Sequence, residues 1–361
     1  MSRKYNFCAG PSAFPEEVLL ELKEEILDWK NHGLSVMEMS HRSKEFVAIA
    51  AEAKQDLIDL LKINSDYEVL FIQGGATLQF SMVPMNLINA GGLCSYLDVG
   101  YWSKKAIKEA ERLKLKVHIA ASSAENSYKS FPSPVDWEIN ENSSYTHVVL
   151  NETIDGAALR DFSSLPEHSN LVADASSCIL SEPLDVNKFS LIYAGAQKNI
   201  GPAGLAIVIL KKDFLNNDKQ LPSLLDYKTY AENDSMANTP PTFAWYLSGK
   251  VFKWLKKNGG LENQSKINES KAKKLYQYID QSDFYKNDVS PGSRSIMNIP
   301  FLLQDESLDN LFIKNSEENG LLNLKGHRSV GGMRASIYNA VPEEAVDTLV
   351  EFMKDFEKKN G

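Results

Sequence analysis

Cysteine is scarce in this chain. Cys8, Cys94 and Cys178 are its only three in 361 residues, too scattered for a disulfide framework or a zinc site. No metal is therefore expected. Long apolar runs are missing as well: none approaches the roughly 20 residues that span a bilayer, and the longest obvious one, Leu205 to Leu210, reads as a buried strand. The basic, then apolar, then small-residue opening of a secretory signal is also missing. A cytoplasmic protein without membrane contact is the expectation. There is no basic block and no basic-aromatic stripe, and the formal net charge is −9. That argues against nucleic acid as the main partner. An anionic small substrate remains compatible, provided positive charge is concentrated in one site.

What is present is ordinary globular composition, 43% hydrophobic and 24% charged. The length exceeds what one core usually serves, so two domains are expected. Apolar stripes predict helices from Pro15-Glu16-Glu17 through Val18, Leu19, Leu22, Ile26 and Leu27, and over Ser43 to Leu61. Seven short apolar runs follow: Val69–Ile72, Leu93–Leu97, Val117–Ile119, His147–Leu150, Leu171–Ala173, Leu191–Tyr193 and Leu205–Leu210. Near-continuous runs separated by helices predict an α/β fold with a mostly parallel seven-stranded sheet covered on both faces. After Gly259-Gly260 come a lysine-rich helix (about Leu261–Ser282), strands near Ile296–Leu303 and Met333–Ile337, a helix from about Glu306 to Asn319 and a last one from Pro342. These predict a smaller α+β domain. The division is 16–260 for the large domain and 1–15 with 261–361 for the small one.

In such sheets ligands bind beyond the carboxyl ends of the strands. Past Val69–Ile72 lies Gln73-Gly74-Gly75-Ala76-Thr77, then a helix whose first N–H groups suit a phosphate. It is not a Walker loop, because no Gly-Lys-Ser/Thr follows. Past the next strand lies Trp102, suited to stack on an aromatic ring. Asn151-Glu152-Thr153 puts amide and hydroxyl groups at the same edge. Asp174 ends another strand and needs a partner there. Lys198 sits among small residues in Gly195-Ala196-Gln197-Lys198-Asn199, and a desolvated lysine has a lowered pKa and forms imines. A Gly-Gly turn, a loop Trp or a lone Lys has an ordinary packing explanation taken singly. Together they match the needs of pyridoxal 5'-phosphate: Lys198 to hold it, Asp174 for the ring nitrogen, the Ala76-Thr77 helix start for the phosphate and Trp102 over the ring.

These residues lie in segments that mark a family. Phe7-Cys8-Ala9-Gly10-Pro11-Ser12-Ala13, Met39-Ser40-His41-Arg42-Ser43, Gln73-Gly74-Gly75-Ala76-Thr77, Ala194-Gly195-Ala196-Gln197-Lys198-Asn199 and Gly326-His327-Arg328-Ser329-Val330-Gly331-Gly332-Met333-Arg334-Ala335-Ser336 occur in order along the chain. In them the chain resembles the fold-type I, class V pyridoxal-phosphate-dependent aminotransferases, and most closely the phosphoserine aminotransferase family. The resemblance implies that the Ala76-Thr77 backbone, Ser176 and Gln197 hold the cofactor phosphate, and that Trp102 stacks on the ring. Thr153 would bond the ring oxygen and Asp174 would pair with the pyridinium. Asn238-Thr239 would complete the phosphate site from a second subunit, which implies a homodimer with shared active sites.

The implied reaction interconverts 3-phosphohydroxypyruvate plus glutamate with phosphoserine plus 2-oxoglutarate, a step of serine biosynthesis. A further role on 4-phosphohydroxythreonine in pyridoxine biosynthesis is compatible. Arg334 resembles the arginine that grips an α-carboxylate through a bidentate fork. The pairs His41-Arg42 and His327-Arg328 suit the distal anion of the amino-acid and keto-acid substrates. Three rivals stand beside this reading. A class V aminotransferase for unphosphorylated keto acids differs only in the His-Arg pairs. A desulfurase needs a late catalytic cysteine, and none follows Cys178. A cofactor-free nucleotide-binding protein leaves Lys198 incidental. His118 and His147 are expected to pack or cap, Cys8 and Cys178 to be small buried residues, and the runs Lys253–Lys257 and Lys271–Lys274 to be solvated helix faces.

Overall fold

Strands whose residues are apolar on both sides must be covered on both sides, and this requirement shapes the large sheet. The structure, a computed structural model, describes residues 3–89, 91–166, 170–216 and 219–361. Residues 1 and 2 of the expected small-domain segment therefore lie outside it. After a short β1 (Tyr5–Asn6), the sheet is built from β2 (Tyr67–Gln73), β3 (Leu93–Asp98), β4 (Lys116–Ser122), β5 (Thr146–Val149), β6 (Leu171–Asp174), β7 (Leu191–Gly195) and β8 (Leu205–Lys211). Their spatial order is β2-β8-β7-β6-β5-β3-β4. Only β8 opposes the others, pairing antiparallel with both β7 and β2. All seven expected strands are thus in one sheet.

The helices α1 (Glu16–Glu25), α2 (Lys44–Leu61), α3 (Ala76–Leu87), α4 (Tyr101–Arg112), α5 (Tyr227–Glu232) and α6 (Thr242–Lys257) surround it. Alternate strand residues point to opposite faces. Phe71, Ile207 and Ile192 join Phe46 and Leu57 of α2 and Trp245 and Phe252 of α6 in one core. Leu70, Val208 and Tyr193 join Phe80 of α3, Ala106 of α4 and Tyr227 of α5 in the other. The expected stripe on α1 is shorter than its sequence suggests: the helix stops at Glu25, Val18 is its buried residue and Leu27 is 84% exposed.

A third core gathers Phe7 with Leu275, Phe301, Phe312, Leu349 and Phe356. It belongs to α7 (Gly260–Gln281), β9 (Tyr285–Lys286), β10 (Asn298–Leu303), α8 (Asp309–Glu318), β11 (Leu321–Leu322), β12 (Met333–Ser336) and α9 (Glu343–Asn360). The order β12-β10-β9 forms an antiparallel sheet, and β1 pairs parallel with β11. The N-terminal strand therefore docks on the C-terminal part of the chain. Helix α7 reaches both regions, with Leu261 in the α2/α6 core and Leu275 in this one.

The lysine run on α7 is not wholly a solvated face. Lys271 has no exposed surface, and its Nζ donates to the carbonyls of Ile337, Tyr338 and Val341 at 3.0, 2.8 and 3.0 Å. Burial pulls its ammonium down to about 7. Three acceptors, however, match the three N–H donors of the charged form, so we take the ammonium to be the state built in. The turn after β12 supplies the three carbonyls, that of Tyr338 also accepting from Val341 N–H at 2.9 Å, and α7 brings the cation to them.

Candidate active site

The carboxyl ends of β2, β5, β6 and β7 open onto a cavity of about 440 Å3. Gly74, Ala76, Thr77, Trp102, Thr153, Asp174, Ser176, Gln197 and Lys198 all line it, as do Gly10 and Pro11 of the N-terminal segment. Gly10 and Pro11 reach it because Ser12 N–H donates to the Gln197 carbonyl at 2.9 Å.

Lys198 follows β7, and its Nζ donates to Thr153 Oγ1 at 2.6 Å. The side chain keeps some surface because it faces the cavity, yet protein atoms crowd the ammonium from the other sides. Burial pushes it down from 10.5 to about 8, against the opposing pull of Asp174 and Glu152. Asp174 is 5% exposed, and its Oδ1 accepts from Ser176 N–H at 2.9 Å. Burial raises its pKa, with the Ser176 and Lys198 contacts working the other way. It forms no ion pair among the described residues, so a cationic ligand group is the natural partner for this carboxylate.

Two helices start at this edge and differ in their caps. Gly74, at φ 105°, lets the chain turn from β2 into α3, whose first turn has no side-chain cap. Its leading N–H groups remain available to an anion. At α4, by contrast, the N–H groups of Tyr101, Trp102 and Ser103 already donate to Asp155 and Glu152. A phosphate therefore fits at Ala76-Thr77 and not at Tyr101. The Trp102 ring lies with its centroid 5.9 Å from Lys198 Nζ, and its own Nε1 is buried without a partner. Gln197 folds over Gly195, and Ser176 Oγ accepts from Gly195 N–H at 3.0 Å.

Arg334, on β12, is not among the lining residues but touches one of them, Thr153. Its Nη1 donates to the Thr153 carbonyl at 3.4 Å, while Nε is buried without a partner. His327 lies nearby, its ring 5.1 Å from that of Tyr101. Partial burial, then the charges of Arg334 and Arg328, lower its pKa. Arg328 itself is exposed. His41 and Arg42 stand on the turn before α2, away from the cavity lining, with Arg42 exposed. Asn238 Nδ2 donates to Gln73 Oε1 at 2.9 Å, and the neighbouring Thr239 is exposed; neither lines the cavity. One chain thus assembles the amine, the carboxylate and the uncapped helix, with Arg334 held against Thr153; His41-Arg42, His327-Arg328 and Asn238-Thr239 do not line the cavity.

Sequence reasoning missed Tyr193 beneath Asp174, whereas His147 packs there as expected. Tyr193 is the register partner of Asp174 on β7, and His147 Nε2 meets the Tyr193 hydroxyl at 2.9 Å. Burial holds the His147 imidazole neutral, pushed down to about 3. Nothing local in the sequence marks Tyr193, because the register of β7 on β6 decides that it meets Asp174. His118 packs as expected, with Nδ1 3.1 Å from Ser95 Oγ.

Comparison with known proteins agrees with this geometry. The family model described as aminotransferase class-V matches residues 4–349. The chain is 55% identical to the phosphoserine aminotransferase of Hahella chejuensis over 360 residues, 99% of each chain. It is 54% identical to that of Pseudomonas aeruginosa, again over 99% of both. Among solved structures it is similar to phosphoserine aminotransferase from Bacillus circulans subsp. alkalophilus, with TM-score 0.97, 46% identity and 99% of each chain covered. The pyridoxal-phosphate-bound phosphoserine aminotransferase of Trichomonas vaginalis superposes with TM-score 0.92 at 40% identity, over 98% of this chain and 100% of that one.

Proposed function

The chain belongs to the class-V aminotransferases and, within them, to the phosphoserine aminotransferase family, and from that premise we propose the chemistry of its site. It is a pyridoxal-phosphate-dependent aminotransferase that interconverts 3-phosphohydroxypyruvate plus L-glutamate with O-phospho-L-serine plus 2-oxoglutarate. That relatives of 55% and 54% identity carry the name phosphoserine aminotransferase supports the phosphorylated substrate over unphosphorylated keto acids. The observation that carries the reading is Lys198, a buried amine 2.6 Å from Thr153 Oγ1, in one cavity with Asp174 and an uncapped helix.

The cofactor, when bound, supplies an electron sink for charge developing at the substrate's α-carbon. Lys198 Nζ would hold the cofactor through its aldehyde carbon and would move the proton at the substrate's α-carbon as general base and acid. Asp174 keeps the ring nitrogen protonated. Thr153 bonds the ring oxygen, and Trp102 covers the ring and excludes water. The N–H groups of Ala76 and Thr77, with Ser176 and Gln197, bind the phosphate. Arg334 grips the α-carboxylate of both amino acids.

His327-Arg328 and His41-Arg42 hold the distal anion, phosphate in one half-reaction and carboxylate in the other. Because His41-Arg42 and Asn238-Thr239 lie off the cavity of their own chain, the proposal includes a homodimer in which a second copy supplies them. Exposed Met37 and Val47, on either side of His41-Arg42, suit burial in such an interface. The proposal also takes 16–260 as the cofactor domain and 1–15 with 261–361 as the small domain. The separate core around Phe7 and Phe312 supports this division. A cytoplasmic location goes with it; among the described residues no helix is long and apolar enough to cross a membrane.

The test is direct. Protein incubated with pyridoxal phosphate, reduced with borohydride and digested should carry the label on Lys198 alone. Added glutamate should shift the visible band and release 2-oxoglutarate. A colourless, unlabelled protein at cofactor saturation would overturn the reading.

A further inference from the structure

Helix α4 begins without the side chain that normally caps such a start. A first helical turn leaves its N–H groups without intrahelical partners, and an Asp, Ser or Thr one residue earlier usually accepts them. Here that position is Gly100. The acceptors come instead from the loop after β5. Glu152 Oε2 takes Trp102 N–H at 3.0 Å, Glu152 Oε1 takes Ser103 N–H at 2.8 Å, and Asp155 Oδ2 takes Tyr101 N–H at 2.9 Å. Residue 100 has to be glycine for this to happen. A Cβ there would lie 2.6 Å from both Glu152 Cδ and Asp155 Oδ2.

Capping alone does not call for a buried acid, since a solvated Asp or Ser would serve. Glu152 has no exposed surface, and burial pushes its carboxyl up to about 8. An acid buried at that cost, one residue from Thr153 and accepting an N–H on each oxygen, belongs to the site more than to the helix. The loop around it is tight: Glu152 N–H donates to the Ala157 carbonyl at 2.8 Å, and Gly156 N–H to the Glu152 carbonyl at 2.9 Å. Its next residue, Thr153, meets Lys198 Nζ. One residue therefore ties the backbone that carries the indole to the backbone that carries the Lys198 contact.

We propose that Glu152 is a positioning residue for Trp102, its two carboxyl oxygens fixing the first turn of α4 so that the indole is set over the cofactor ring. This rests on the cofactor reading above and deepens it. Glu152 touches neither substrate nor cofactor in this role; it acts through Trp102.

The experiment is a double-mutant cycle on cofactor affinity, read by titrating apoprotein with pyridoxal phosphate and by the visible circular dichroism of the bound cofactor. Glu152→Gln turns one acceptor into an amide facing an N–H donor, and should weaken pyridoxal phosphate binding about tenfold and change the dichroism. Trp102→Ala should do at least as much. The two changes together should weaken binding no further than Trp102→Ala alone, because the glutamate acts through the indole. Asp226→Asn, which weakens the cap of α5, should lower the melting temperature and leave both readouts unchanged. If Glu152→Gln does not fold, Glu152→Asp takes its place, with about threefold weaker binding and the same absence of effect in the Trp102→Ala background.

Unchanged affinity and dichroism in the Glu152 variant, or losses that add in the double variant, would overturn the proposal. Failure of the unmodified protein to bind pyridoxal phosphate would sink the function itself, and is a separate result.

Discussion

Lys198 and Thr153 form the pivot of the cavity: Nζ of the lysine donates to Oγ1 of the threonine at 2.6 Å, and Arg334 holds the carbonyl of the same threonine at 3.4 Å. The amine proposed to receive the cofactor and the guanidinium proposed to receive the substrate thus share one residue of the loop after β5. Lys198→Ala should abolish the borohydride-fixed adduct and lower kcat by about 10^3-fold or more, as expected when a general base and acid is removed. Thr153→Val should retain the adduct and lose roughly tenfold in kcat/KM, near the value of one hydrogen bond to a charged group. Labelling and steady-state kinetics distinguish the two.

Lys198 also sets a pH dependence. In the unfolded chain its ammonium titrates near 10.5, in the folded apoprotein near 8. The folded state therefore binds the proton less tightly, and apoprotein stability should rise with pH between about 8 and 10.5 and carry the full penalty below 8. Capture of pyridoxal phosphate needs the neutral amine, so its second-order rate should climb with a midpoint near 8. A midpoint near 10.5 in stopped-flow absorbance would show that the amine is not desolvated.

Asp174 shifts in the opposite direction. Burial raises its folded pKa above the ordinary 3.8, so its contribution to apoprotein stability is greatest when protonated and is lost as pH rises through the folded value. Asp174→Asn imitates the protonated form. At neutral pH the variant apoprotein should melt no lower than the parent. The holoenzyme should lose most of its turnover, about 10^2-fold or more, for want of an anion at the ring nitrogen. Calorimetry on apoprotein and a transamination assay on holoprotein separate these effects.

Lys271 tests the fold rather than the chemistry. Lys271→Met would leave the carbonyls of Ile337 and Val341 without the Lys271 donor, while that of Tyr338 would keep only Val341 N–H. A loss on the order of 3 kcal/mol or more follows from unsatisfied buried groups, measurable as a lower denaturant midpoint. A variant as stable as the parent would mean those carbonyls find other donors.

Much of this site could be read in the sequence. Strand ends are legible because apolar runs stop at polar residues, and Asp174, Lys198, Trp102, Thr153 and the Ala76-Thr77 turn all follow such stops. Long-range placement was not legible. Nothing local to Lys271 shows that the turn after β12 would bring three carbonyls to it, so its run looked like its solvated neighbours. Tyr193 was hidden for a similar reason, since strand order decides which residues meet across a sheet. The stop of α1 at Glu25 escaped because Ile26 and Leu27 continue the helical stripe in sequence while Leu27 faces solvent.

The central claim is phosphoserine aminotransfer. Holoenzyme should be assayed with glutamate as donor and phosphohydroxypyruvate, oxaloacetate and glyoxylate in turn as acceptor. The account predicts kcat/KM for phosphohydroxypyruvate about 100-fold or more above either unphosphorylated acid, the value of a charge-assisted grip on the phosphate. Equal values for all three acceptors would contradict it.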